Sequence, residues 1–510
     1  MEVYLQYQRV RKSVQQHLAK LKDDCSCPSY SVNANHGPDC KLSDYHSSLK
    51  NLPAGSTTPD AAILVGWEGE NDPLNSANLC TSRKLFMTFL VSLIAVAVTA
   101  ASAIDACGVR EYRAYFQVSE VVGSLATGQF LIGLHSVPFS PALSLKHAGV
   151  MPFIPQQCSF FLIFVMPPGL APNLHSHLIF RFFAGLFAST PLICAGGTVA
   201  DLWNPLEKTY AFPVYAIPAF DGPIIGQFWE LYFSHTRLAL ARPETYGNLI
   251  LYWKASILRK ETGHERYRAP IEINQKSLSQ RLKTSVYRPL AMFYSELIII
   301  LMSLYLTIIY IVLYTFLEGY TCIFGDAYGL SEGLTNLCWA SMLIGTLLVS
   351  GVVPVVYSLT AKAYARDKST IAPEMRLWYM MLGGAVAVPI SLFWMGWTSN
   401  PSISIWSPLI VPVFFGYGIT TIFIVAYLYL IGSYDTYSAF ALGFPVFTQY
   451  VMAGGVTVAG GPIYEALSVQ YTLTILGSIS AVMALVPYLL YFFGPITSKK
   501  SKYALNVDTE

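Results

Sequence analysis

The sequence predicts an all-α membrane protein with eleven clear spans, five before and six after a long basic loop. Three observations predict it. Hydrophobic types make up 54% of the 510 residues and charged types only 12%, about half the roughly 25% of a soluble domain. Mean hydropathy is +0.46. Apolar stretches near the roughly 20 residues that cross a bilayer recur from Leu85 onward. The 32 Lys and Arg nearly balance the 30 Asp and Glu, for a net charge of +2, so nothing in the charge points to nucleic acid. The same composition excludes a disordered chain and a soluble enzyme.

Residues 1–84 are polar, rich in Ser, Asn, Asp and Pro, and read as a flexible cytoplasmic tail. They do not resemble a secretory leader. Cys25, Cys27 and Cys40, with His36 and His46 nearby, lack zinc-site spacing, so no metal is expected there. Arg83 and Lys84 precede the first span, Leu85 to Ala106. The next four are expected at 119–139, 151–167, 178–200 and 210–233, completing a first transmembrane half over 85–233.

A loop follows over 234–290, with nine basic residues and three acids between Lys254 and Arg288. Six more spans are expected at 291–316, 334–358, 378–397, 406–431, 438–462 and 472–493, within a second half over 291–494. The tail 495–510 carries Lys499, Lys500 and Lys502. Basic flanks mark the cytoplasmic side, so the N-terminal tail, the loop and the C-terminal tail share it. That creates a parity conflict. An even number of spans must separate tail from loop, and SHTRLALARPETY (234–246) is too short and polar to cross. A sixth helix is expected to be missing, which would invert everything after it.

Ionisable side chains inside a bilayer are costly and are functional or paired. Arg181 stands in span four, as an interior charge or an interfacial one that snorkels. Asp105 ends span one, either facing a substrate or marking an outer helix end beside Arg110. Asp221 in span five either binds a cation or destabilises. Glu318 ends span seven after Tyr305, Tyr310 and Tyr314, which share one broad face. A carboxylate with tyrosine faces suits an organic cation, although interfacial packing uses the same residues. Glu296 is expected in an interfacial pair with Arg288, and Asp435 at the cytoplasmic end of span ten. GGVTVAGGP (454–462) permits close helix packing. There is no GxxxxGK[ST] loop, no Ser/His/Asp set and no clustered metal ligands in the spans. ATP-driven transport, enzyme activity and cofactors are therefore not expected.

Several strings in order carry a family resemblance: GWEGENDPLNSANL (66–79), RFFAGLFASTPLICAGGTVADLW (181–203), RPETY (242–246) with LRKETGHERYRAP (258–270), PEMRL (373–377), and YTLTILGSISAVMALVPYLLYFFGP (471–495) with KKSKYA (499–504). Over about residues 65–505 the chain resembles the fungal drug:proton antiporter branch of the major facilitator superfamily. The resemblance implies two six-helix halves around a central cavity, rocking to expose it to either side. It implies proton-coupled efflux of small cationic or amphipathic compounds, such as drugs or polyamines. The implied partners are substrate, protons and lipid, for a monomer in the plasma membrane or, second, the vacuolar membrane.

By the resemblance, Arg181 and Asp105 serve proton coupling, and Glu318, Tyr310, Tyr314 and Asp221 serve the substrate cavity. Gating falls to Ser144, Gly149, Gly222, Pro223, Gly226 and Asp435. Two departures stand out. The loop PALSLKHAGVMP (141–152) keeps Ser144 and Gly149 but has lost the family's acid and arginine pair. PAFDGPIIGQF (218–228) keeps Gly222, Pro223 and Gly226 but has Asp221 where the family has a small residue. The alternative is a non-transporting membrane protein, either a degenerate antiporter or a ligand-sensing receptor.

Overall fold

The computed structural model describes residues 7–16, 63–64, 75–107, 116–136, 150–165, 173–204, 206–226, 247–263, 267–269, 289–366, 373–434 and 437–501, with a few single positions besides. Five stretches within them are long and apolar enough to cross a membrane outright. Two compact units are present, one of residues 80–240 with 278–510, the other of 1–79 with 241–277.

The larger unit holds the spans. In chain order they are α1 (Thr81–Cys107), α2 (Glu120–Ser136), α3 (Val150–Val165), α4 (Leu174–Leu202) and α5 (Lys208–Gly226). After α6 (Gly247–Thr262), which belongs to the smaller unit, come α7 (Leu297–Tyr320) and α8 (Ala340–Arg366). Then follow α9 (Ala385–Thr398), α10 (Trp406–Tyr434), α11 (Ser438–Met483) and α12 (Leu485–Lys500). Each span expected from hydropathy coincides with a helix. One apolar stretch, Phe440–Ser498, is 59 residues long, about 90 Å of helix at 1.5 Å per residue. That is some three bilayer cores, so it must fold back. It breaks at Ser468, whose φ is 61°, and the two limbs supply the last two spans.

Glycines set how closely these helices approach. A Cβ at Gly222 would collide with Thr99 Oγ1 and lie 2.7 Å from the Val96 carbonyl, and one at Gly226 would lie 2.6 Å from the Ala100 carbonyl. These contacts lock α5 against α1. Gly133 and Gly185 do the same for α2 and α4, and Gly345 and Gly416 for α8 and α10. Small residues at such positions are how apolar helices gain contact in lipid, where hydrophobic burial gives no advantage. α5 also carries Pro213, Pro218 and Pro223. Pro218 has no N–H for the Val214 carbonyl four residues earlier, and Ser92 on α1 donates its hydroxyl to that carbonyl at 3.1 Å.

The two halves meet along two lines. α2 meets α11 where Gly128 and Gly454 face each other, so close that a Cβ on either would lie about 3 Å from the other's carbonyl. α5 meets α8, with Tyr210 and Tyr357 in edge contact at 5.3 Å. Spans one and five run parallel: Lys84 pairs with Glu207 at 3.4 Å near their starts, and Ala100 meets Gly226 near their ends. The end of α5 faces the start of α8, and Tyr320 at the end of α7 stacks on Trp339 just before α8, with ring centroids 4.1 Å apart. The start of α7 is therefore at the same end of the bundle as the start of α5. The second half is not inverted, contrary to the parity argument. Residues 227–246, where a sixth span would stand, lie outside the described residues.

The smaller unit corrects the expectation of a flexible tail and a plain basic loop. Residues 7–16 form a helix that packs on α6, with Val10 and Val14 buried against Ile250, Ile257 and Leu258. Ile63–Leu64 pairs in parallel with Tyr267–Arg268. Lys254, one of the loop's nine basic residues, is buried and pairs with buried Asp72 at 3.7 Å. Arg259 grips Glu272 through two bonds of 2.9 and 2.8 Å. Burial works to raise the Glu272 carboxyl, but the Arg259 bonds, the Ala269 N–H and the charges of Arg259 and Arg268 outweigh it and hold the carboxyl low. Its contribution to this unit is present above the ordinary carboxylate range and is lost as pH falls through the lowered value. Cys25, Cys27, Cys40, His36 and His46 lie outside the described residues.

Gly222→Ala should destabilise the bundle by roughly 1–3 kcal/mol, the cost of overpacking, read as a lower melting temperature in detergent. Lys254→Met should cost the smaller unit roughly 3–5 kcal/mol by stranding Asp72, and the double replacement Lys254→Met with Asp72→Leu should recover most of it. Hydrogen exchange across 247–262 distinguishes the two outcomes.

Candidate functional site

Span four positions Arg181 through its glycine. Asn173 caps the helix, accepting from the Ser176 N–H at 2.9 Å. Gly185, one turn after Arg181, lets α4 lie on the α2 backbone at Phe130. Arg181 is thereby turned inward and is 4% exposed. Its Nη1 donates to the Ala101 carbonyl of α1 at 2.9 Å, and its guanidinium lies over the Phe130 ring at 5.8 Å. The snorkelling reading is excluded, because the charge sits between helices. Asp105 falls in the last turn of α1, and its side chain lies outside what is described. Ser144, Gly149 and Asp435 are outside the described residues.

The tyrosines of α7 part company. Tyr310 stacks on Tyr314 at 5.9 Å and meets Phe423 of α10 at 4.7 Å and Tyr450 of α11 at 5.0 Å. Phe423 stacks on Tyr427 at 6.3 Å and meets Phe220 of α5 at 5.7 Å. Tyr450 also packs against the apolar cluster of Val98, Phe130 and Ala184 in the first half. Both halves therefore feed one aromatic cluster. Tyr305 does not join it. It is buried in the packing of α7, five residues from Tyr310 and so turned to another side of the helix.

Sequence reasoning missed the polar member of this cluster. Gln449 is fully buried, its Nε2 donates to the Tyr427 hydroxyl, and its Oε1 has no partner. A glutamine inside an apolar span was the available signal. Phe423 and Tyr427, four apart on one helix face, were a second.

The carboxylates lie elsewhere. Glu318 stands one turn beyond Tyr314 and packs on α11, where a Cβ at Gly460 would meet its Cγ at 2.7 Å. Asp221 is 2% exposed and faces Thr346 on α8, so it occupies the line between the halves and does not line an open cavity. The neighbouring Gly222 and Gly226 face α1. Glu296 is 3% exposed and accepts from the buried Tyr434 hydroxyl at 3.2 Å. It is an interior group, and its expected partner, Arg288, lies outside the described residues.

The chain is similar to known transporters. It is 40% identical over 470 residues to MFS-type transporter kojT of Aspergillus flavus, covering 86% of this chain and 82% of that one. It is 30% identical over 475 residues to the major facilitator superfamily multidrug transporter FLU1 of Candida albicans, covering 88% and 77%. No family model matches. Among solved structures, the proton:xylose symporter XylE bound to a bromo-deoxyglucose superposes with a TM-score of 0.57 at 15% identity, covering 81% of this chain and 96% of that one. That last likeness is one of fold.

Tyr310→Phe keeps the ring contacts but loses the hydroxyl bond with Tyr450, and should cost only about 1 kcal/mol in a thermal melt. Tyr310→Ala opens a cavity among Tyr314, Phe423 and Tyr450 and should cost roughly 3–5 kcal/mol, measured by the same melt.

Proposed function

The chain belongs to the major facilitator superfamily of membrane transporters, and we propose that it exports small cationic or amphipathic compounds in exchange for protons. The observation that carries this reading is the aromatic cluster to which α5, α7, α10 and α11 all contribute. Aromatic faces attract cations and stack on flat apolar bodies. A cluster shared by both halves is remade when they rock, so a ligand there is held differently in the two states, as transport requires.

Arg181 supports the proton half of the reading. A fixed positive charge between α1 and α4 favours the ionised form of a neighbouring carboxyl and makes its proton easier to release. Asp105, on the same helix as the carbonyl that Arg181 holds, is the residue we assign to that exchange. Glu318, one turn from Tyr314, adds attraction for a cation. The similarity to FLU1, described as a multidrug transporter, favours the drug-export branch. We assign the N-terminal tail and the basic loop to the cytoplasm and the protein to the plasma membrane.

The alternative, a non-transporting receptor or relic, was favoured by a missing sixth helix and by the altered loop at 141–152; the parallel course of α5 and α7 speaks against the inverted second half that the missing helix implied.

Cells expressing the chain should expel rhodamine 6G, a cationic aromatic dye, and should stop when an ionophore collapses the proton gradient. Arg181→Lys keeps the charge but not the planar fork, and should slow export while leaving the protein folded. Dye export that continues undiminished in ionophore-treated cells contradicts the proposal.

A further inference from the structure

The α5–α8 line contains one carboxyl, at a position where the family signature has a small residue. Asp221 is 2% exposed, its Oδ1 has no hydrogen-bond partner, and its polar contact is the Thr346 hydroxyl on α8. The elements packed on α5 are α1, α4, α8 and α10. α1 presents Val96 and Thr99 beside the adjoining Gly222, and α10 presents Phe423 to the adjoining Phe220. On α4, Arg181 donates to the Ala101 carbonyl. On α8, Tyr357 lies against Tyr210, about three turns from Thr346. Lys84 and Glu207 pair with each other at the opposite end of α1 and α5. Among the described residues, no charged side chain acts on Asp221.

An ionised carboxylate buried with no cation beside it is so costly that the group takes up a proton instead. We infer that Asp221 is a proton-operated latch, and that the α5–α8 seam closes over its neutral carboxyl and parts when it ionises. On parting, the carboxyl meets water, its O–H bond breaks, the proton passes to water and the carboxylate is hydrated. Closing runs the same step backwards, with a proton from that aqueous phase re-forming the O–H bond before the group is covered. The Thr346 hydroxyl fixes the orientation of the neutral form.

The contact lies in the half of the bundle remote from Lys84, level with Val96 and Thr99 of α1. In the export reading, on which this inference rests and which it deepens, that side faces outward. Acid outside then favours the closed outer end and alkali the open one, so the latch makes the cycle sensitive to outer pH without itself carrying a proton across.

The test uses the full chain in nanodiscs. The infrared difference spectrum of wild type minus Asp221→Asn should show the C=O stretch of a protonated carboxyl at neutral pH, and a carboxylate pair in its place overturns the inference. Asparagine matches the neutral acid in shape. If that variant fails to fold, Asp221→Gly, which restores the small residue of the family pattern, supplies the difference. In proteoliposomes, rhodamine 6G export by wild type should depend on outer pH and export by Asp221→Asn should lose that dependence. An unchanged pH profile in the variant overturns the inference. If wild-type export ignores the proton gradient altogether, the export reading fails, while the infrared band still decides whether Asp221 holds a proton.

Discussion

Backbone-to-backbone contact at glycines is the constraint on which the rest of this bundle depends. In lipid, apolar side chains gain little by meeting each other, so helices associate where small residues let their backbones touch. Gly222 and Gly226 fix α5 on α1, Gly133 and Gly185 fix α4 on α2, and Gly345 and Gly416 fix α8 on α10. These pairs lie within one half or the other and hold neighbouring helices of each half together. The Gly128–Gly454 contact lies between halves. The same chemistry therefore builds both the interior of each half and one of the lines where the halves meet.

Charge is placed with equal economy. Arg181 and Asp221 are almost fully buried: the arginine donates to a carbonyl of α1 and the acid faces a threonine of α8. Both lean on α1, directly or through a neighbouring glycine, towards the end of the bundle where α5 finishes. Buried groups of this kind are expensive to maintain, and the proposed proton exchange is assigned to them for that reason. The aromatic cluster lies where both halves contribute rings, so rocking necessarily alters it.

Much of this was legible in the sequence. Each expected span coincides with a helix, because a bilayer demands about 20 apolar residues and little else. Arg181, Gly222 and Gly226 were legible as a charge and small residues inside apolar runs. The aromatic cluster was not, because Tyr310, Phe423, Gln449 and Tyr450 converge from three helices far apart in the chain. The orientation of Asp221 towards α8 was likewise invisible, since neither composition nor spacing reports which helix a side chain faces. Polarity concealed the smaller unit: Lys254 was one of nine basic residues, and only folding singles it out by bringing Asp72 against it. Parity reasoning failed for a related reason, because counting apolar runs does not give the direction in which helices pair.

The central claim is that two glycine-built halves rock about the seams where they meet. The most direct measurement is the distance between spin labels at Val121, near the start of α2, and Leu467, near the bend in α11, both exposed. Alternating access predicts two distance populations whose proportions change between acid and alkaline buffer. A single distance that ignores pH would contradict it.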